Sequence, residues 1–137
     1  MTARKVVRVI AAIAMMAVGV LHFTSPAGFV AIVPKALPAP LALVYISGAA
    51  EILGGAGLLV RRVRRAASIG LVALYVAVFP ANINMALNDV QPEGVHLPKA
   101  ALYARLPFQA LFIVVALWVG REDLRAPQAP RDVPGRT

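Results

Sequence analysis

The sequence predicts an all-α fold, a membrane-embedded four-helix bundle with its N- and C-termini in the cytoplasm. Of the 137 residues, 60% are hydrophobic and 15% are charged, whereas soluble domains contain about 25% charged residues. A soluble domain of this length buries only about two-thirds of its surface, so it cannot hide this many apolar side chains. The apolar residues form four blocks, and most of the basic residues behind the net charge of +8 lie outside them.

Each apolar block has about the 20-residue length that a membrane-spanning helix needs. The blocks cover residues 6–23, 41–60, 66–87 and 103–120 of a four-span domain, 1–122. Continuous apolarity over these lengths favours helices over the alternating strands of a membrane barrel. Between the first two blocks, the short apolar run 29–33 predicts a helical turn or two at the membrane interface. The segment 123–137 lacks periodicity, which predicts a disordered basic cytoplasmic tail.

The Lys and Arg residues are distributed unequally between the two predicted sides of the membrane. Eleven of the 14 lie among the first eight residues, in the segment 61–65 or after the fourth block. The opposite side carries Lys35, Lys99 and Arg105, together with Asp89 and Glu93. Because basic loops stay in the cytoplasm, this asymmetry predicts cytoplasmic termini and a protein of the cell membrane.

A signal peptide, binding to nucleic acid and cysteine chemistry fit the sequence less well than a four-span membrane protein. A signal peptide is an alternative for the first block, but Ser25-Pro26-Ala27 is a poor cleavage site. Nucleic acid is not an expected partner, because the basic residues alternate with apolar blocks and form no nucleic-acid-binding motif. The chain contains no Cys, which excludes disulfides, thiolate metal sites and a Cys nucleophile.

Polar side chains inside the predicted spans are the candidates for function, because lipid penalises them. Glu51 lies near the middle of the second span, where a carboxylate costs about 2.5–3.5 kcal/mol. The other candidates for one outward-facing polar pocket are His22, Ser47, Asn82, Asn84, Arg105 and Gln109. We expect Arg105 to be the ion-pair partner of Glu51, with His22 as the alternative. Such a pocket suits a small ligand, whereas no catalytic set and no metal site is predicted.

Structural roles are the alternative for most of these residues. Buried Asn, Gln and Ser side chains often form hydrogen bonds between membrane helices. The alternative for Arg105 is a side chain that extends to the outer membrane interface. The alternative for His22 is an interfacial residue at the end of a helix. The glycines of the second span, Gly48, Gly54, Gly55 and Gly57, predict close helix packing. They predict no phosphate site, because no strand precedes them and no Lys-Ser/Thr follows.

Five short motifs lie along the predicted spans and the loop after the first. They are Gly19-Val-Leu-His22-Phe23, Ile32-Val33-Pro34, Ser47-Gly48-x-x-Glu51-Ile52-x-Gly54-Gly55, Val78-Phe79-Pro80-Ala81-Asn82-x-Asn84-Met85-Ala86 and Arg105-Leu106-Pro107-x-Gln109. Together these motifs resemble the DoxX family. The resemblance extends from about residue 8 to residue 120 and implies a four-helix membrane protein. It also implies a link to redox systems: a subunit of a quinol oxidase or thiosulfate:quinone oxidoreductase, or an assembly against oxidative stress. The matching polar positions are His22, Glu51, Asn82, Arg105 and Gln109.

Together, the pocket and the resemblance predict a non-catalytic subunit of a membrane redox or oxidative-stress assembly. The ligand of the outer-half pocket is expected to be a small polar headgroup, such as that of a quinone. One alternative is a small-molecule carrier or proton-coupled transporter in which Glu51 changes its protonation. Another is an assembly factor whose glycine face contacts partner helices. The expected partners are the lipid bilayer and other membrane proteins, with a homo-oligomer as an alternative.

Overall fold

The computed structural model describes residues 2–91 and 96–121, and these residues are helical without any strand. Its five helices are α1 (Ala3–Thr24), α2 (Pro26–Ile32), α3 (Pro40–Leu59), α4 (Arg64–Leu87) and α5 (Lys99–Gly120). All except α2 are long and apolar enough to cross a membrane, judged by length and composition. The all-α class and the four span-length helices are thereby confirmed. The predicted tail, 123–137, lies outside the described residues.

Proline residues determine where several of these helices begin. Pro26 and Pro40 stand at the first position of α2 and α3, where a backbone N–H has no helical acceptor to lose. Pro80 and Pro107 instead lie inside α4 and α5. Each interior proline lacks the N–H that would donate a hydrogen bond to the carbonyl one turn earlier. In a membrane such a carbonyl needs another donor, so side-chain donors are expected near the two prolines.

The four long helices pack in the order α1, α3, α4, α5, with sparser contacts between α1 and α5. Helices α1 and α4 run in one direction and α3 and α5 in the other. We call the end where the chain enters α1 and leaves α5 the terminal end, and the opposite end the α2 end. The larger apolar core lies toward the terminal end and contains Ala12, Leu58, Leu71, Tyr75, Ala116 and Val119. A smaller core of Met85, Ala86 and Leu102 lies toward the α2 end.

Glycines bring α1 and α3 into close contact. A Cβ on Gly48 would lie 2.5 Å from the Cβ of His22, and one on Gly55 would lie 2.8 Å from the carbonyl oxygen of Ala12. On the α1 side, a Cβ on Gly19 would lie 2.7 Å from the carbonyl oxygen of Gly48. Small residues of this kind let two helix backbones approach closely.

The other two glycines of α3 face α4. A Cβ on Gly54 would lie 2.5 Å from Cδ2 of Leu71, and one on Gly57 would lie 2.6 Å from the Cβ of Ala67. The glycines of α3 are therefore covered by helices of the same chain on two sides. The expectation that this glycine face contacts partner helices is wrong, because α1 and α4 already occupy it.

Two arginines at the terminal end bind carbonyl groups at the ends of helices. Arg8 is 4% exposed; its Nε donates to the carbonyl oxygen of Val119 at 2.8 Å and its Nη2 to that of Arg121 at 3.2 Å. Arg64 Nε donates to the carbonyl oxygen of Leu58 at 2.9 Å. A cation at a helix C-terminus satisfies carbonyls that lack helical donors and opposes the helix dipole. Arg8 and Arg64, which are among the basic residues that predict the membrane orientation, thus also bind the carbonyl groups at the ends of α5 and α3.

Candidate functional site

Helices α1 and α3 bring His22 and Glu51 together inside the bundle. His22 Nδ1 lies 3.4 Å from Oε2 of Glu51, and the two side chains are 8% and 14% exposed. Gly48 precedes Glu51 by about one turn, and its missing side chain leaves the space that the imidazole occupies. The spacing of glycine and carboxylate on α3 thus forms a slot for His22.

The surroundings of His22 determine which ring nitrogen carries a proton. Nδ1 lies 2.9 Å from the carbonyl oxygen of Val18. Because a carbonyl only accepts, Nδ1 is the protonated nitrogen and Nε2 is the acceptor of the neutral ring. The ring also stacks on Phe29 of α2, with centroids 3.8 Å apart. Helix α2 therefore covers the imidazole from the α2 end.

Glu51 keeps an unfilled acceptor in this arrangement. Its Oε2 atom is buried and has no hydrogen-bond partner among the described residues. The contact with His22 is within ion-pair distance, but the Nδ1 proton is directed at Val18. A buried polar atom without a partner costs about 1–3 kcal/mol. The site can thus accept a hydrogen bond from a ligand or bind a proton.

A second buried polar group joins α4 to α5. Asn82 Nδ2 donates to Oε1 of Gln109 at 2.9 Å, and Gln109 Nε2 donates to the carbonyl oxygen of Tyr75 at 2.7 Å. The Tyr75 hydroxyl donates in turn to the sulfur of Met15 on α1 at 2.8 Å. Pro80 has no N–H for the carbonyl one turn earlier, which belongs to the residue after Tyr75. Gln109 does not bind that carbonyl but the neighbouring carbonyl of Tyr75. Both ends of the Gln109 amide are used within the protein.

The remaining candidates bind backbone carbonyls or are exposed. Asn84 Nδ2 donates to the carbonyl oxygen of Ile32 at the end of α2, at 3.1 Å. Ser47 Oγ donates to the carbonyl oxygen of Val44 on its own helix, at 2.9 Å. Arg105 is exposed on α5. The seven candidates thus separate into two side-chain pairs, two residues with backbone contacts and one exposed cation, rather than one connected cluster.

The expected ion pair between Glu51 and Arg105 is wrong: the side chain within 4 Å of the Glu51 carboxylate is that of His22. Side chains on a helix point back toward its N-terminus. Since α1 and α3 are antiparallel, His22 and Glu51 point toward each other. Helix α5 runs parallel to α3, so Arg105 points toward the α2 end and away from the middle of the bundle.

Several residues of the polar interior are not among the candidates that the sequence predicts. They are Arg8, Met15, Phe29, Ser68 and Tyr75. Ser68 Oγ, for example, donates to the carbonyl oxygen of Ala116 at 2.7 Å and joins the start of α4 to the end of α5. A seven-residue spacing in the sequence marks most of them. On α1 this spacing relates Arg8, Met15 and His22, and on α4 it relates Ser68, Tyr75 and Asn82. A seven-residue repeat is typical of the interior face of packed helices.

The site offers few ligands for a metal ion. Within residues 2–91 and 96–121, no group of three His, Asp or Glu side chains converges. The contact of His22 with Glu51 provides one imidazole and one carboxylate, and the nearby Phe29 ring adds an aromatic surface. These groups suit a small ligand with hydrogen-bond donors better than a metal ion.

One family comparison covers this whole region. The matching family is described as a domain of unknown function, DUF8561, and it covers residues 11–120. The chain belongs to the DUF8561 family. No curated protein and no solved structure shows significant similarity to the chain. The DUF8561 match extends from α1 to the last residue of α5, so it contains the His22–Glu51 pair and the Asn82–Gln109 pair.

Proposed function

We propose that this DUF8561 protein is a multi-pass protein of the cell membrane, with both termini in the cytoplasm, and a non-catalytic subunit of a redox or oxidative-stress assembly. In this proposal, the His22–Glu51 pair binds the headgroup of a small ligand such as a quinone. Four apolar helices support the membrane location, and the distribution of Lys and Arg supports the orientation. The DoxX resemblance supports the redox assignment.

The unfilled Oε2 atom of Glu51 is the observation on which this ligand depends. Both Glu51 Oε2 and Nε2 of a neutral His22 accept hydrogen bonds. A quinol has two hydroxyl donors on a flat ring, whereas the oxidised quinone has only acceptors. The site therefore favours the reduced form, and the ring of Phe29 adds a surface suited to an aromatic ligand.

Binding of decylubiquinol and decylubiquinone to the protein in mild detergent tests this proposal. We expect the reduced compound to bind more tightly, and Glu51→Gln to weaken its binding about tenfold, because an amide NH₂ group, which only donates, replaces one of the two carboxyl oxygens. Asp89→Asn is the matched control, since it removes the same charge from an exposed loop residue. Equal affinity of wild type and Glu51→Gln for decylubiquinol would refute the proposed site.

A proton-coupled carrier is the second candidate, because two titratable side chains meet within the bundle at 3.4 Å. In this alternative, Glu51 gains and loses a proton during transport. Proteoliposomes with an internal pH-sensitive dye distinguish the two functions. Proton uptake that depends on a solute and disappears in Glu51→Gln favours the carrier, whereas quinol binding without proton uptake favours the subunit.

An assembly factor remains the third candidate, but it requires another contact surface. Gly54 faces Leu71 of the same chain, so the glycine face of α3 is not free for partner helices. Purification in mild detergent followed by identification of co-purified proteins tests for such partners. Recovery of a redox enzyme with the wild-type protein and with Glu51→Gln alike supports the subunit role, because it separates complex formation from ligand binding.

A further inference from the structure

A groove on α5 lies apart from the His22–Glu51 pair. Its volume is about 310 Å³, and its lining contains Arg105, Phe108, Gln109 and Phe112. Residues at this spacing share one face of a helix. Phe108 is 53% exposed and Phe112 is 47% exposed, so both rings border the open side of the groove. Arg105 stands nearest the α2 end, and the two rings follow along the helix toward the terminal end.

Arg105 is the charged group of this groove. No carboxylate of the described residues lies within ion-pair distance of its guanidinium, which is exposed. It follows the start of α5 at Lys99 by six residues, or about 9 Å along the helix axis. A guanidinium remains charged at any physiological pH and binds phosphate with two parallel hydrogen bonds. It therefore remains available to bind an anion that is not part of the described residues.

The rest of the groove is apolar or already bonded. Gln109 uses its amide oxygen for Asn82 and its amide nitrogen for Tyr75. The Phe108 and Phe112 ring centroids are 6.4 Å apart, and the Tyr75 ring centroid lies 6.2 Å from that of Phe112. Polar recognition in the groove therefore depends on Arg105, and the aromatic wall provides an apolar contact surface.

We infer that this groove binds one anionic phospholipid, with its phosphate on Arg105 and an acyl chain along Phe108 and Phe112. The order of groups along α5, a cation followed by two exposed rings, matches the order of headgroup and chain in a phospholipid. Charge decides between the possible occupants, because a neutral quinone would fill the apolar wall but leave the guanidinium without an anion. The inference does not depend on the function proposed for Glu51.

Native mass spectrometry with phosphatidylglycerol and phosphatidylcholine of equal chain length tests the inference. The wild-type protein should retain one phosphatidylglycerol in preference to phosphatidylcholine. Arg105→Gln should reduce this preference about tenfold, since it removes a charge-assisted hydrogen bond to phosphate. Arg105→Lys should keep part of the preference, because it preserves the charge without the two parallel bonds.

Arg65→Gln is the matched control, because Arg65 is also exposed but lies at the terminal end. It should keep the preference of the wild type. Phe112→Ala should weaken the binding of both lipids equally, since the ring contacts the chain rather than the headgroup. The inference is overturned if Arg105→Gln retains the phosphatidylglycerol preference, or if decylubiquinone displaces the lipid equally from wild type and Arg105→Gln. A melting curve of each variant confirms that it is folded.

Discussion

His22 Nδ1 lies 3.4 Å from Oε2 of Glu51, although the first residue is near the end of its helix and the second is in the middle of its own. The contact follows from the directions of α1 and α3. Side chains point back toward the N-terminus of their helix, so those of antiparallel neighbours converge. Gly48 completes the contact, because any side chain there would overlap His22.

The first prediction concerns the energetic role of Glu51. Because its Oε2 atom is buried without a hydrogen bond, Glu51→Gln should leave the bundle as stable as the wild type or up to about 1 kcal/mol more stable. The melting temperature in detergent measures this effect. Destabilisation by about 3–5 kcal/mol would instead identify the contact with His22 as an ion pair that stabilises the fold.

A second prediction concerns the contact between α1 and α3. Gly48→Ala should destabilise the bundle by about 1–3 kcal/mol, because its Cβ would lie 2.5 Å from that of His22. Gly70→Ala is the control, since a Cβ there meets no atom within 4 Å. It should stabilise α4 by up to about 1 kcal/mol. Thermal unfolding of the two variants side by side measures the difference, and equal melting temperatures would contradict the close packing.

The third prediction addresses the buried hydrogen bonds between α4 and α5. Gln109→Leu leaves the Asn82 amide and the Tyr75 carbonyl without this partner, which should cost about 1–3 kcal/mol. Asn82→Leu combined with Gln109→Leu should cost less than the sum of the two single changes, because the two residues share a bond. A double-mutant cycle measures this coupling. Ser47→Ala, which removes only a bond within α3, should change stability by less than about 0.5 kcal/mol.

The fourth prediction separates the structural arginines from the exposed ones. Arg8→Gln should destabilise the bundle by about 1–3 kcal/mol, because Arg8 is buried and binds the carbonyl oxygens of Val119 and Arg121. Arg61→Gln should have little effect, since Arg61 is exposed. Urea or thermal unfolding compares the two variants. Similar losses in both would mean that total charge, rather than the capping contacts, stabilises the terminal end.

The fifth prediction tests the proposed membrane orientation. The chain contains no Cys, so a single introduced thiol is the only one that a maleimide reagent can label. In intact cells, an impermeant maleimide should label Lys35→Cys and should label Arg62→Cys only after the membrane is permeabilised. Both positions are exposed in the structure. The opposite labelling pattern would reverse the proposed orientation.

The sequence alone was sufficient to predict the helices, because hydropathy and proline act locally along the chain. Each apolar block is long enough to span, and Pro40 marks the start of α3 within one residue of the predicted block. It also identified Glu51 as an isolated carboxylate in an apolar helix. The partner of Glu51, by contrast, depended on which helices are neighbours and on the directions in which they run.

Tertiary structure therefore decided how the polar residues pair. The sequence offered both Arg105 and His22 as partners of Glu51, but only His22 points toward it. The same holds for Arg8 and Ser68, which bind carbonyl oxygens more than 45 positions away in sequence. Hydropathy and proline select helices through interactions within a few residues, whereas a buried hydrogen bond forms only between groups that packing brings together.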